Sequence, residues 1–299
     1  MLRLTAGIFG NGAEELASFL GKKGTMNDIS IHNHNSSEAA MNLVVPAGEK
    51  VQSLLQSIAL ADVPVVIIEE LTPEIGELLI ALDMFSFEAG FIISNVNIAP
   101  LVKGTSLEKY TLTTKEELRK ELMKIDIHRK DSPVRVPIDN YFDVRNVGFI
   151  VLGIIKSGTV KKYDKLFIEP IGKEILVKSI QSNDKNIEEA EKGTRVGLNI
   201  KGVASEEMKR GYVVCDSMKK IKTIKTSFEK SKFSKEIIKP GDQIGVLSGL
   251  LFSTGTVKNI THNSIEIEFL REIPYDESTV FVFASTKNNL PRILGKGKI

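Results

Sequence analysis

Val147-Gly148-Phe149-Ile150-Val151-Leu152-Gly153, continuing through Ile154-Ile155-Lys156 to Ser157-Gly158 and then Thr159-Val160-Lys161, reads as strand, tight turn and strand. Working outward, the same texture fills the chain from about residue 134 to its end. Period-two strands separated by glycine turns are expected at 134–144, 148–156, 165–169, 174–181, 195–201 and 212–215. A lysine-rich joint, Met218-Lys219-Lys220, leads to a second set at 223–230, 243–248, 254–260, 264–270 and 279–284. Spacing of this kind predicts small β-barrels, each closing its own core. Gly249-Leu250-Leu251-Phe252-Ser253-Thr254-Gly255-Thr256-Val257 echoes the segment from Gly153 to Val160, as one strand-turn-strand solution used twice.

Before Lys130-Asp131-Ser132-Pro133 the texture differs. Strands at 2–9, 42–45, 63–68 and 90–93 alternate with helices at 13–20, 49–60, 73–84 and 114–123. Val51, Leu54, Leu55 and Ile58 recur at helical spacing, and Thr113 or Thr114 followed by glutamate resembles a capping box. Alternation of strand and helix predicts a parallel α/β domain. Three domains follow: residues 1–128, 129–218 and 219–299.

Bulk properties narrow the function. The 299 residues carry a net charge of +2, with 6% aromatic residues and no tryptophan. Such a balance does not demand a polyanion, and too few aromatics are present for a base-stacking platform along single strands. Any nucleic-acid contact is therefore expected with the backbone and shape of a folded RNA. No apolar run is long enough to span a bilayer, and no secretory signal is expected at the start, so the expected location is the cytoplasm. One cysteine, Cys215, excludes a disulfide framework or a cysteine zinc site within one chain and reads as a buried, inert thiol.

A longer ordered series gives the chain a family resemblance. Val136-Pro137-Ile138-Asp139-Asn140, the segment from Val147 to Lys161, Ile180-Gln181-Ser182-Asn183-Asp184, Ala190, Gly193, Val196-Gly197-Leu198 and Lys209-Arg210-Gly211 together resemble the second domain of elongation factor Tu and its selenocysteine-specific cousin. Tyr163 departs from the glycine usual before Asp164 and alters only a turn. Phe228-Glu229, Lys239-Pro240-Gly241-Asp242, Thr254-Gly255-Thr256-Val257 and the run from Arg292 to Ile299 resemble the third domain. The first third fits the same family's GTPase domain by layout. The resemblance implies a degenerate P-loop-GTPase-like α/β domain followed by two β-barrels.

The chemistry of that first domain departs from the family. A phosphate loop needs two glycines, a lysine for the phosphates and a hydroxyl for magnesium. Gly7-Ile8-Phe9-Gly10-Asn11-Gly12-Ala13-Glu14 keeps the glycines but puts Ala13 at the lysine and Glu14 at the hydroxyl. Glu14 at a helix N-terminus takes the favourable field itself and repels a triphosphate. The family's Asp-x-Pro-Gly-His aligns with Val44-Val45-Pro46-Ala47-Gly48. Val44 removes the magnesium-linked carboxylate, Ala47 replaces the glycine that approaches the γ-phosphate, and Gly48 removes the water-orienting histidine. Ser94-Asn95-Val96-Asn97 falls on the guanine motif, where Asn97 cannot accept both hydrogen bonds of the base edge. The segment between Gly12 and Pro46 is too short for the family's first switch loop.

The expectation is thus a binding module with no catalytic residues, no cofactor and no metal, docking on tRNA or the ribosome independently of nucleotide. Two alternatives stay open: a weak or altered GTPase, and a regulatory or assembly factor that docks a protein at the vacated pocket. Arg145, Lys156, Lys161, Lys162, Lys258, Arg292, Lys296 and Lys298 are the candidate RNA contacts; the bland reading is lysine protection of barrel edges. His32 and His34 could form a metal pair on a strand, but no cysteine is near to complete it and Glu38 is a lone carboxylate on its C-terminal side, so no metal site is expected.

Overall fold

Apolar runs alternating with amphipathic stretches build a layered first domain. The computed structural model describes residues 2–126 and 132–299. The expected junction between residues 128 and 129 lies outside the described residues. The first domain runs β1 (Leu2–Gly10), α1 (Ala13–Leu20), β2 (Lys22–Met26), β3 (Ile29–Asn35), β4 (Ala39–Pro46), α2 (Val51–Leu60), β5 (Val63–Ile68), α3 (Pro73–Phe85), β6 (Phe91–Ser94), α4 (Ala99–Val102), β7 (Thr111–Leu112) and α5 (Lys115–Leu122).

Its sheet has the order β2-β3-β4-β1-β5-β6-β7. From β4 through β7 the strands are parallel, as expected of strand-helix alternation. β2, β3 and β4 are antiparallel, so the sheet is mixed rather than parallel throughout. The hairpin β2–β3 occupies the space between α1 and β4 that sequence reading left empty. Two helix starts carry clear signals: Thr72 Oγ1 accepts from Ile75 N–H ahead of Pro73, and Thr114 Oγ1 accepts from Glu117 N–H, both at 3.3 Å.

The second domain comprises β8 (Arg135–Val144), β9 (Gly148–Ile154), β10 (Thr159–Lys161), β11 (Lys165–Glu169), β12 (Lys173–Ser182), β13 (Lys185–Ile187), β14 (Glu189–Glu191), β15 (Arg195–Lys201) and β16 (Val213–Cys215). Pairing of β11 with both β16 and β12 closes its sheet into a barrel. The third comprises β17 (Lys219–Ser227), β18 (Glu229–Lys230), β19 (Gln243–Ser248), β20 (Leu251–Ile260), β21 (Ser264–Tyr275), β22 (Phe281–Ser285) and β23 (Ile293–Gly297), in the order β17-β21-β20-β19-β22-β23-β18. Lys219 and Lys220 open β17, so the expected lysine-rich joint is itself strand. The two echoing segments are threaded differently: Ser157-Gly158 is a turn, whereas Thr254-Gly255 lies inside β20, whose turn is at Gly249.

The cores do not stop at domain borders. One apolar cluster runs from Val136 and Leu198 in the second domain to Ile267 and Phe283 in the third. A second joins α2 and α3 to Leu247, Val282, Ala284 and Ile293 of the third domain. A third brings Ile29, Ile31, Val44 and Leu60 against Ile154 and Leu250, where all three domains meet. Alternation along β19 and β22 sends Val246 and Phe283 into the barrel cluster and Leu247 and Val282 outward, so α2 and α3 cover the outer face of the third barrel. α3 is accordingly apolar on most of its surface, as a helix buried on two sides must be.

Polar contacts fasten these seams. Arg292 donates through Nε and Nη2 to the Glu77 carboxylate, the latter at 2.5 Å, while its own backbone N–H also reaches Glu77 and its Nη1 reaches Glu49 O at 2.9 Å. The Glu77 side chain is only 3% exposed. Removing one partner of such a pair leaves a buried charge unsatisfied. Glu77→Gln is expected to cost about 3 kcal/mol in urea unfolding, with the double variant Glu77→Leu/Arg292→Met recovering most of that loss. A single variant within ~0.5 kcal/mol of wild type would contradict the geometry.

Cys215 gives a second check. It is fully buried in β16, and burial pushes its thiol up to about 12. Ellman's reagent at neutral pH should modify it only at the rate of unfolding, accelerating with denaturant. Modification within mixing time in native buffer would show this wall of the barrel to be open.

Candidate functional site

The segment that resembles a phosphate loop is largely straightened into the sheet. β1 continues to Gly10, with Phe9 paired to Val66 and Gly10 to Ile67 of β5. Only Asn11 and Gly12 remain before α1 begins at Ala13. Asn11 N–H donates to Ile67 O at 3.1 Å, and the Asn11 side chain accepts from Glu69 N–H, so this turn is tied to the end of β5. Gly10 has φ of 91°, and a Cβ there would lie 2.1 Å from Ile67 O, so the close approach of β1 and β5 requires glycine. Gly12 caps α1 in the left-handed conformation, and Ala13 packs into the core.

Glu14 is not a free carboxylate. Its Oε1 lies 2.6 Å from Lys23 Nζ on β2 and 3.2 Å from His32 Nε2 on β3. Burial pushes its carboxyl up, but the hydrogen bonds and charges of Lys23 and His32 outweigh that and hold it below the usual carboxylate range. His32 is fully buried, and its Nδ1 has no partner among the described residues. His34 lies next along the same face but is only half-buried, and no cluster of metal-ligating groups occurs among the described residues.

The second element is equally committed to structure. Val44 is completely buried at the three-domain junction. Ala47 N–H donates to Asp28 O at 3.0 Å, and Asp28 in turn takes Arg210 of the second domain. Pro46 is half-buried, whereas Gly48 stands exposed with φ of 78° and open space around it. Asn97 turns its Oδ1 to Ala99 N–H at 3.1 Å, at the start of α4. Gly7 sits inside β1, opposite Val44.

The candidate RNA contacts are scattered, and most serve the fold. Lys156 is bound by Asp62 at 2.7 Å and by Leu60 O, and Arg292 is the partner of Glu77. Lys258 pairs with Glu268 across neighbouring strands, and Lys162 pairs with Glu188. Lys161 and Lys296 have looser carboxylate neighbours at 3.9 and 3.8 Å. Arg145 and Lys298 alone of the eight have no ion-pair partner among the described residues, and both are exposed.

A cavity of about 720 Å³ lies between the first and second domains, lined by residues such as Arg3, Asn42, Lys161, Glu191 and Arg195. Asn35 and Asn183 exchange reciprocal amide hydrogen bonds beside it, at 2.9 and 3.0 Å. Arg195 itself is engaged by Asp139 through two hydrogen bonds of 2.6 and 2.9 Å. Sequence reading missed the Lys23–Glu14–His32 group and this seam. One signal was present: a histidine on an otherwise apolar-facing strand, with an acid on the preceding helix.

Known proteins carry the same plan. The family model for elongation factor Tu domain 2 matches residues 148–215. An uncharacterized protein of Methanocaldococcus jannaschii is 33% identical over 307 aligned positions, covering 99% of each chain. The selenocysteine-specific elongation factor of the same organism is 30% identical over 212 positions, covering 61% of this chain but 45% of that factor. This chain therefore corresponds to less than half of that factor's length. The crystal structure of translation elongation factor SelB from Methanococcus maripaludis, in complex with the GTP analogue GppNHp, superposes with a TM-score of 0.83. The match covers 100% of this chain and 79% of that one at 19% identity, a likeness of fold. From the barrel motif through the full-length relative to the shared three-domain architecture, the chain belongs to the family of translational GTPases that includes elongation factor Tu and the selenocysteine-specific elongation factor.

Proposed function

We propose that this chain is a translation-factor relative that works without a nucleotide switch, docking on tRNA or the ribosome as a binding module rather than hydrolysing GTP. The observation that carries the reading is Glu14. A carboxylate at the N-terminus of α1 holds Lys23 and His32 where a phosphate would need cations and open amides. Around it the Asn11 and Ala47 amides are spent on Ile67 and Asp28, and Val44 is core. Loss of one preorganised charge contact typically costs on the order of 10² to 10³ in rate. Here the lysine, the magnesium-linked groups and the water-orienting histidine are missing together. The partner class comes from the relatives, whose work is translation.

Calorimetry should find no saturable binding of GTP or GDP at micromolar concentrations, with or without magnesium. Saturable binding would promote the weak-GTPase alternative. The double variant Ala13→Lys/Glu14→Thr should gain no magnesium-dependent turnover, because Val44 and Gly48 still supply neither carboxylate nor imidazole. Turnover in that variant would show that most of the site survives.

The pH dependence of Glu14 follows from its lowered position. Its contribution to stability is complete above the ordinary value of 4.5 and is lost as pH falls through the folded-state value below it. Glu14→Gln should therefore melt below wild type at neutral pH, with the gap closing as the solution is acidified below 4.5. A gap that is constant across that range would mean the carboxylate is unpaired.

A further inference from the structure

The densest unpaired charge lies away from the residues that sequence reading selected. Between β18 and β19 the chain runs Ser231-Lys232-Phe233-Ser234-Lys235-Glu236-Ile237-Ile238-Lys239. With Lys230 this segment sets four lysines against one glutamate, in a chain whose whole net charge is +2. Glu236 is occupied by Lys287 at 2.8 Å. None of the four lysines has a carboxylate partner among the described residues, and all are exposed. Several lysines of the same barrel are neutralised, Lys258 by Glu268, Lys219 by Glu277 and Lys220 by Glu169 and Glu272, while Lys222, Lys225 and Lys298 stand singly without an ion pair among the described residues. This loop gathers four such lysines into ten residues.

The loop is also held from beneath. Ser231 N–H donates to Leu294 O at 2.9 Å, Ser234 N–H to Ser231 O, and Lys239 N–H to Asp242 Oδ2 at 2.8 Å. Ser231 and Ser234 are buried, while Phe233 is 44% and Ile237 73% exposed. Lys232 Nζ sits 5.2 Å from the Phe233 ring centre and reaches Gly104 O of the first domain at 3.2 Å. Lys103, next to that glycine, is exposed and also lacks a carboxylate partner among the described residues. The basic surface therefore crosses the seam between the first and third domains on an ordered frame.

We propose that this loop, with Lys103 beside it, is the surface that takes the phosphate backbone of a folded RNA, with Phe233 stacking on one unpaired base. The inference rests on the RNA-docking reading above and places its contact. Fixed cations without internal carboxylates are neutralised most completely by a polyanion, and releasing its counterions drives the association. An aromatic face framed by cations suits a base splayed from a loop or bulge. Two exposed apolar side chains offer little to a lipid bilayer, where stable anchoring needs much more buried area.

The test is an anisotropy titration of the full chain against total tRNA and ribosomal subunits at about 50 and 200 mM salt. Lys230→Glu/Lys235→Glu/Lys239→Glu should weaken binding at least about tenfold at the lower salt and flatten the salt dependence. Phe233→Ala should weaken binding about five- to tenfold at both salts. Lys161→Glu/Lys162→Glu, which reverses the second-barrel candidates that already face Glu189 and Glu188, should bind like wild type. The corresponding lysine-to-glutamine set repeats the first variant with less perturbation, and thermal melts confirm folding. If the second-barrel set loses affinity and the loop set does not, RNA docking stands and this surface is wrong. If wild type binds no RNA at micromolar concentration, both readings fall. If wild type instead sediments with phosphatidylserine vesicles and binds no RNA, the loop belongs to a membrane and the proposal is overturned.

Discussion

Packing at Val44 sets the terms for the rest of the molecule. Its side chain is sealed among Ile29, Ile31 and Leu60 of the first domain, Ile154 of the second and Leu250 of the third. Dry apolar contact at one point shared by three domains fixes their mutual placement, because each contributes surface that the other two must cover. Polar fasteners lie around that point. Gln56 on α2 donates to Leu250 O at 2.7 Å, Asn42 on β4 donates to Gly193 O at 3.0 Å, and Lys156 joins Asp62. Their hydrogen bonds satisfy groups that the apolar junction removes from water.

Much of the architecture was legible because its signals are local. The buried strand β5 is a continuous apolar run, Thr72-Pro73 and Thr114 start helices, and glycine turns separate most barrel strands. The hairpin β2–β3 was not legible. Its alternating core residues, Ile29 and Ile31, are followed by His32-Asn33-His34-Asn35, a polar run without strand propensity. His32 is fully buried with Glu14 as its partner, and Glu14 in turn takes Lys23, so the group spans three elements. The lysine-rich joint at Met218-Lys219-Lys220 is expected ahead of the second strand set, yet on an edge strand lysine is the ordinary residue and the strand begins there.

Site residues divide along the same line. The identities at Ala13, Glu14, Val44, Gly48 and Asn97 are visible in sequence, because a motif says which residue types to look for at each position. The partners of the surrounding groups are tertiary. Asn11 to Ile67, Ala47 to Asp28 and Glu14 to Lys23 are pairings that no spacing announces. Charge behaves likewise. Arg292 and Lys156 look like surface cations in sequence and are seam residues in the fold, while the lysines from Lys230 to Lys239 have no carboxylate partner among the described residues. Counting basic residues gives the amount of positive charge; only packing tells how much of it remains available to a partner.

The burial of Val44 also limits what this position can become. An acid here would face five apolar side chains drawn from three domains, with nothing to satisfy its charge. A carboxylate could enter only by prising the junction open, so the polarity of one side chain and the mutual placement of three domains are a single choice.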